Sequence, residues 1–300
     1  MTGEHTATLT VVEPGALTTV QDDGRIGLAR LGIGRSGACD RRSFHLANRL
    51  VGNEPGSAAL EVTYGGLRLR AEHDVVLALT GARCPDVPHN AVLGLHAGST
   101  LRLRAPLAGL RTYVAVRGGI VVPEVLGSRA TDIMAALGPP VVSAGDELPV
   151  GAAPGRFPDV DVAPVADPDT GDIVVRVVPG PRDAWLTDKA WETLLHEGYE
   201  VTSESNRVGI RLDGPELQRA TDDELPSEGM ARGALQVPPS GKPVLFLADH
   251  PVTGGYPVAA YVDDADVDRC AQLCPGQRLF FRLAAGLRRP APEAGRDRAG

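Results

Sequence analysis

Ser203-Glu204-Ser205-Asn206-Arg207-Val208-Gly209-Ile210-Arg211-Leu212-Asp213-Gly214-Pro215 opens a stretch that runs through Gly233-Ala234-Leu235-Gln236-Val237-Pro238-Pro239 and Val244-Leu245-Phe246-Leu247-Ala248-Asp249-His250 to Thr253-Gly254-Gly255-Tyr256-Pro257. Polar groups, glycines and prolines are interleaved with one apolar run, 244–248, which reads as a single buried strand. A strand that delivers Asp249, His250 and a Thr-Gly-Gly-Tyr-Pro turn presents side chains at a barrel rim. This end of the fold is the candidate functional end.

The composition agrees with a fold of short strands. The chain has 300 residues, 43% hydrophobic and only 4% aromatic, with 36 Gly and 25 Pro. Its cores must therefore be built from Val, Leu, Ile and Ala between frequent turns, as in barrels or sandwiches rather than bundles. A net charge of −8 argues against a nucleic-acid footprint, which needs a basic face. Residues 1–9 lack a basic segment followed by an apolar one, and no apolar run approaches the roughly 20 residues that span a bilayer. The expected location is cytoplasmic, with Cys39, Cys84, Cys270 and Cys274 reduced. Cys270 and Cys274 are spaced as on one helix face, but no second pair completes a zinc set, so no metal is expected.

Outward from that stretch, the chain divides. Residues 1–155 hold a β-branched opening strand (6–12) closed by Pro14-Gly15, a helix starting at Asp40 and reaching about Leu50, and short strands near 58–69, 75–80, 100–104 and 112–116. Residues 130–137 read as a short helix closed by Gly138. Gly32-Ile33-Gly34-Arg35-Ser36-Gly37 matches a dinucleotide fingerprint but lacks its strand-turn-helix setting, so a plain loop is preferred. Residues 156–172 carry Pro158, Pro164 and Pro168 with neither helical nor strand period, and form a linker. Residues 173–284 restart with a β-branched strand followed by Pro179-Gly180, contain helices near 188–196 and 264–273, and end on a strand at 278–283. Residues 285–300, rich in Arg, Pro, Ala and Gly, are expected to be a disordered tail. The fold class is mainly β.

No Walker A, H-E-x-x-H, G-x-S-x-G or EF-hand sequence is present. The remaining candidates suit carbonyl or carboxylate binding and proton transfer. Arg207, beside Asn206 in a turn, can grip a carboxylate through two parallel bonds or form a surface ion pair. Asp249 and His250 can manage protons, although neighbours on an extended strand point to opposite faces. Thr253 with the Gly254 and Gly255 amides can form an anion nest or a simple turn. Tyr256 and Gln236 add polar groups nearby. Asp22, Arg25 and Asp40 are the polar outliers of the first half, with Asp40 also suited to capping a helix.

The segments T-T-V-Q-D-D-G-R-I-G (18–27), S-G-A-C-D (36–40), L-A-N-R-L-V-G-N (46–53), A-A-L-E-V-T (58–63), V-R-G-G-I (116–120), V-L-G-S-R-A-T-D (125–132), S-N-R-V-G-I-R-L-D-G-P (205–215), G-A-L-Q-V-P-P-S-G-K-P (233–243) and T-G-G-Y-P (253–257), in this order, resemble the biotin-dependent carboxyltransferase-like family, also called allophanate hydrolase subunit 2 or the C-type subunit of 5-oxoprolinase. The resemblance implies two tandem cyclophilin-like β-barrels. It implies two partners, a smaller B-type subunit and a third, A-type lactam-utilisation subunit. The three act together in ATP-dependent opening of 5-oxo-L-proline to L-glutamate, with ATP held on this chain or mainly on its partners. The alternatives are carboxyl transfer from carboxybiotin to urea or a related small amide, with no biotin attached here, and a non-enzymatic regulator that binds the smaller partner. The chain departs from the family at Pro251-Val252, where an amide donor and a hydroxyl are missing.

Overall fold

The computed structural model describes residues 7–221 and 223–287. The tail from residue 288 onward lies outside the described residues. The first half comprises β1 (Ala7–Pro14), β2 (Leu17–Gln21), α1 (Arg41–Leu50), β3 (Ala59–Thr63), β4 (Leu67–Ala71), β5 (Val75–Arg83), β6 (Ala91–Leu95), β7 (Thr100–Arg102), β8 (Ala108–Val116) and β9 (Glu147–Val150). Its strands fall into two sheets, ordered β7-β4-β1-β9 and β2-β3-β8-β5-β6. A register shift between Val11 and Glu13 bends β1, and the chain then turns from the first sheet into β2 of the second. Leu9, Val11, Leu60, Val62, Leu69, Leu77 and Val114 are packed in the core of this half. Here the implied barrel is two sheets without a continuous hydrogen-bonded ring.

The second half does close. It contains β10 (Ile173–Pro179), α2 (Asp188–His196), β11 (Gly198–Val201), β12 (Gly209–Asp213), β13 (Glu228–Gly229), β14 (Ala234–Gln236), β15 (Val244–Phe246), β16 (Thr253–Gly254), β17 (Val258–Val262), α3 (Asp264–Cys270) and β18 (Arg278–Leu283). Seven strands form the barrel in the order β10-β17-β14-β15-β12-β11-β18, and a parallel pairing of β10 with β18 closes it. In the first half the opening strand β1 pairs with the last strand, β9, in antiparallel fashion. The shared opening, a β-branched strand followed by Pro-Gly, therefore does not extend to strand pairing.

Three local features position the site. Asp40 accepts the Ser43 amide at 2.9 Å and caps α1, whose Phe44, Ala47 and Leu50 pack with Tyr113 and Ala115 of β8. The residue just before this cap, Cys39, belongs to the hydrophobic core of the second half. The first half thus inserts a thiol side chain into its neighbour. Residues 161–163 lie along the edge strand β6, where Val92 N donates to Asp161 O at 2.8 Å and Ala163 N to Asn90 O at 2.7 Å.

Residues 130–137 do not form the expected helix. Asp132 Oδ1 accepts the Ala135 amide at 2.9 Å, Ala136 has φ 52°, and Asp132 and Leu137 bond to each other across a bridge. The Asp132 side chain satisfies the local backbone in place of a helical turn.

Gly118, at φ +101°, is a position that only glycine fills without strain. An added Cβ would lie 2.2 Å from Gly151 O. Gly118→Ala is expected to destabilise the protein by about 3 kcal/mol in denaturant melts, since it combines a disfavoured φ with a backbone collision.

Candidate functional site

The two halves meet on a buried polar seam centred on Arg207. Its guanidinium donates through Nε to Asp249 Oδ2 at 2.9 Å and through Nη2 to Asp249 Oδ1 at 2.9 Å. It also donates to Glu61 of β3, to Gly37 O at 2.8 Å and to Cys39 Sγ at 3.4 Å. Glu61 further accepts from Cys39 N at 2.9 Å and Tyr113 Oη at 2.7 Å, and Arg111 Nε stands 3.5 Å away. Arg207, Arg111, Glu61 and Asp249 are all buried, so two positive and two negative charges share one dry seam.

Burial opposes ionisation of Glu61, but Arg207 and Arg111 outweigh it and hold the carboxyl below the ordinary range. Burial likewise opposes the charge on Arg207, and Cys39, Glu61 and Asp249 override it to keep the guanidinium protonated. Around Cys39 the balance goes the other way: burial pushes its thiol up to about 11.

The seam continues through Tyr113, whose Oη accepts the Asp40 amide at 2.8 Å. The Asp40 carboxylate accepts from Gln272 Nε2 at 2.7 Å. Gln272 holds β8 in turn, accepting Leu110 N at 3.0 Å and Arg111 N at 2.9 Å. Asp40 and Gln272 face a cavity of about 260 Å³ between α1, α3 and residues 165–169. Burial, reinforced by Asp268, raises the Asp40 carboxyl to about 6.

On its outer side the seam opens into a cluster of three loops. Asp249 also accepts Ser36 Oγ at 2.6 Å and Ile133 N at 3.3 Å, which draws residues 34–37 and 130–134 to the end of the buried strand. Gly34 lies against His250 O and Asp132 Oδ2. Burial pushes the Asp132 carboxyl up. Asp22 ties two of the loops together by accepting Gly24 N at 2.8 Å, Ser128 Oγ at 2.6 Å and Arg129 N at 2.6 Å. Arg25 is buried and donates to Val125 O at 3.1 Å and Ala130 O at 2.7 Å.

These positions sort the candidates. Arg207 is not at the surface: it grips a carboxylate through two parallel bonds, and that carboxylate is Asp249 of the same chain. Asp249 is consequently committed to Arg207, Ser36 and the 133 amide. His250 is not among its hydrogen-bond partners; its Nδ1 donates to Pro251 O at 2.8 Å. A carbonyl can only accept, so Nδ1 carries the proton and Nε2 keeps its lone pair. Burial lowers the His250 pKa. Asn206 caps a turn, accepting Val208 N at 2.8 Å. Thr253 and Gly254 form the β16 side of a two-stranded ribbon with β13. Neither Gly254 nor Gly255 has a positive φ, so their amides do not make the alternating nest. Gln236 is held by Tyr256 O at 3.0 Å and packs under that ribbon. Glu61, Ser36 and Asp132 were not singled out from the sequence, although an acid at the centre of the apolar run 58–63 is a usable signal for Glu61.

Comparison with known proteins follows the same span. A family model described as carboxyltransferase domain, subdomain A and B, matches residues 31–283. The 5-oxoprolinase C-type subunit of Escherichia coli (strain K12) is 38% identical over 282 residues, covering 91% of this chain and 90% of that protein. Among solved structures, TTHA0988 matches with a TM-score of 0.83 and 36% identity over 93% of this chain. The Kluyveromyces lactis urea carboxylase matches with a TM-score of 0.86 and 30% identity over 94%. The chain spans 56% of the TTHA0988 chain and 28% of the urea carboxylase chain.

Arg207→Met leaves Glu61 and Asp249 buried with one compensating charge fewer, and is expected to cost about 3–5 kcal/mol in a denaturant melt. Arg68→Met, which breaks the exposed pair with Glu13, is expected to cost under about 1 kcal/mol. The pH dependence has a definite sign at Asp40. Its carboxyl titrates near 6 when folded against an ordinary 3.8, so the folded state binds the proton more tightly and its stability falls as pH rises from about 4 through 6. Thermal melts between pH 4.5 and 7.5 are expected to show this loss, about 2 kcal/mol over that window, and Asp40→Asn is expected to remove it.

Proposed function

From the premise that this chain belongs to the carboxyltransferase domain A and B family, we propose that it is the C-type subunit of a 5-oxoprolinase. It acts with two partners, one a smaller B-type subunit, the other an A-type lactam-utilisation subunit, to open 5-oxo-L-proline to L-glutamate at the expense of ATP. The observation that carries this reading is mutual coverage: the match accounts for 90% of the bacterial 5-oxoprolinase protein but 28% of the urea carboxylase chain. A second reading, carboxyl transfer from carboxybiotin to a small amide, is favoured by the TM-score of 0.86 to that urea carboxylase.

The chain's own residues divide the work as follows. Arg207, Glu61 and Asp249 hold the two halves and the three loops in register. His250, with a free Nε2 and a pKa below the ordinary value, is the group placed to accept a proton from an attacking water or to return one to the ring nitrogen. No lysine stands in the loop cluster to hold a triphosphate. Arg25 has no carboxylate partner there and can serve one oxyanion, but both lysines lie elsewhere, Lys242 paired with Asp213 at 2.9 Å and Lys189 exposed on α2. We propose that the triphosphate sits mainly on a partner protein.

The same loops expose Ile26, Leu31, Leu126, Ile133 and Met134. Apolar side chains on loops tied together by Asp22 and Arg25 form a surface suited to the smaller partner. The longer TTHA0988 chain, of which this chain matches 56%, supports a second module joined to this one.

Glutamate release from 5-oxo-L-proline by the reconstituted three-component complex tests the reading. Omission of this chain is expected to abolish it, and turnover that persists without it would overturn the assignment. Stimulation by bicarbonate and a biotinylated carrier, without glutamate release, would favour carboxyl transfer. His250→Gln is expected to lower kcat about 100-fold or more with little change in KM. Because burial lowers the His250 pKa, the acid limb of kcat is expected below pH 6.5.

A further inference from the structure

Arg25 differs from the other buried guanidiniums of this protein. Arg207 and Arg111 lie beside Glu61, and Arg232 is paired with Asp264 and Asp268. Arg25 is as buried as they are, yet among the described residues no carboxylate lies within ion-pair distance of it. Its Nε and Nη2 bond to two neutral carbonyls, Val125 O and Ala130 O, and its Nη1 has no hydrogen-bond partner. The Asp132 carboxylate feels the Arg25 charge without pairing with it; a buried guanidinium whose hydrogen bonding is incomplete is costly, and an anion on Nη1 would complete it.

Two further buried atoms without partners belong to the same place. The Gln21 amide nitrogen donates to Thr131 O at 2.9 Å and to Thr19 Oγ1 at 2.9 Å, which fixes its orientation and leaves Oε1 without a donor. Thr131 Oγ1 is likewise unpartnered. An N–H donor, a hydroxyl and a carbonyl acceptor are therefore all unsatisfied on side chains that belong to, or are bonded to, residues 130 and 131. The backbone is built around this spot. Gly138 has φ +86°, and a Cβ there would fall 2.7 Å from Arg25 Nη2 and 2.1 Å from Ala130 O. Asp22 fixes Ser128 and Arg129, and Ser36 Oγ reaches Thr131 O at 3.3 Å.

We propose that Arg25, Thr131 and Gln21 form the recognition site for a small acid bearing an N–H beside its carboxylate, with Arg25 Nη1 and Thr131 Oγ1 donating to the carboxylate and Gln21 Oε1 accepting the N–H. The proposal rests on the 5-oxoprolinase reading, in which the substrate carries its carboxylate and its lactam N–H on adjacent atoms. It moves carboxylate recognition away from Arg207, whose donors are engaged by Asp249, Glu61, Gly37 and Cys39. All three unsatisfied atoms are sealed from solvent, so residues 125–138 must rearrange for the acid to reach them.

The test compares Thr131→Val and Arg25→Gln with the unmodified chain in the reconstituted complex. Thr131→Val removes a hydroxyl that has no partner, so its melting temperature is expected to be unchanged or higher, which separates recognition from folding. Both variants are expected to raise KM for 5-oxo-L-proline at least tenfold, with kcat much less affected by Thr131→Val. The unmodified complex is expected to be inhibited by 5-oxo-L-proline analogues in preference to 2-pyrrolidinone, which lacks the carboxylate, and Arg25→Gln to erase that preference. Hydrogen exchange of residues 125–138 is expected to slow when 5-oxo-L-proline is added. Unchanged KM in both folded variants would overturn the site while leaving the proposed function standing. If the unmodified complex releases no glutamate, that function itself fails. Acetate or bicarbonate that stabilises the chain thermally, but not Arg25→Gln, would then still support the anion site, and no stabilisation would remove it.

Discussion

A guanidinium taken wholly out of water must be neutralised and hydrogen-bonded on every edge, and Arg207 meets that demand with groups from both halves of the molecule. Asp249 comes from its own barrel, and Glu61, Gly37 and Cys39 come from the other. The arrangement is weak evidence for net stability, because placing four charges in a dry seam costs about as much as their attraction returns. Its consequence is register. The two halves cannot slide without leaving a buried charge alone, so the three loops that meet over Asp249 are set by the same contact.

That constraint decides which groups remain for chemistry. Asp249 is committed to Arg207, Ser36 and a backbone amide, and cannot also serve as a proton carrier without releasing the seam. His250, next in sequence, is bonded through Nδ1 to Pro251 O and keeps one ring nitrogen open. Arg25 is held by carbonyls alone and retains an unsatisfied edge. One arginine is thus consumed by architecture and another is left for a ligand, and hydrogen-bond accounting rather than position in sequence tells them apart.

Local signals in the sequence carried much of the fold. The Asp40 cap places α1, and the helix expected near 188–196 is α2. The β-branched runs followed by Pro-Gly mark the strands that open each half. What failed depended on distance in the chain or on side chains rewriting the local backbone. Residues 130–137 have helical spacing, but the Asp132 carboxylate captures the Ala135 amide. Arg207 sits among Ser205, Asn206 and Gly209, a context that reads as surface, and nothing local reveals that Glu61, 146 residues earlier, meets it. Thr253-Gly254-Gly255 has the composition of an anion nest, yet pairing with Glu228-Gly229 extends it into a ribbon.

The most direct measurement is a crystal structure of the assembled complex with 5-oxo-L-proline bound. The account predicts the substrate carboxylate on Arg25 Nη1 and Thr131 Oγ1, with both parallel bonds between Arg207 and Asp249 intact. A carboxylate bound to Arg207, with Asp249 displaced from it, would contradict the division between the arginine that holds the fold and the arginine that holds the ligand.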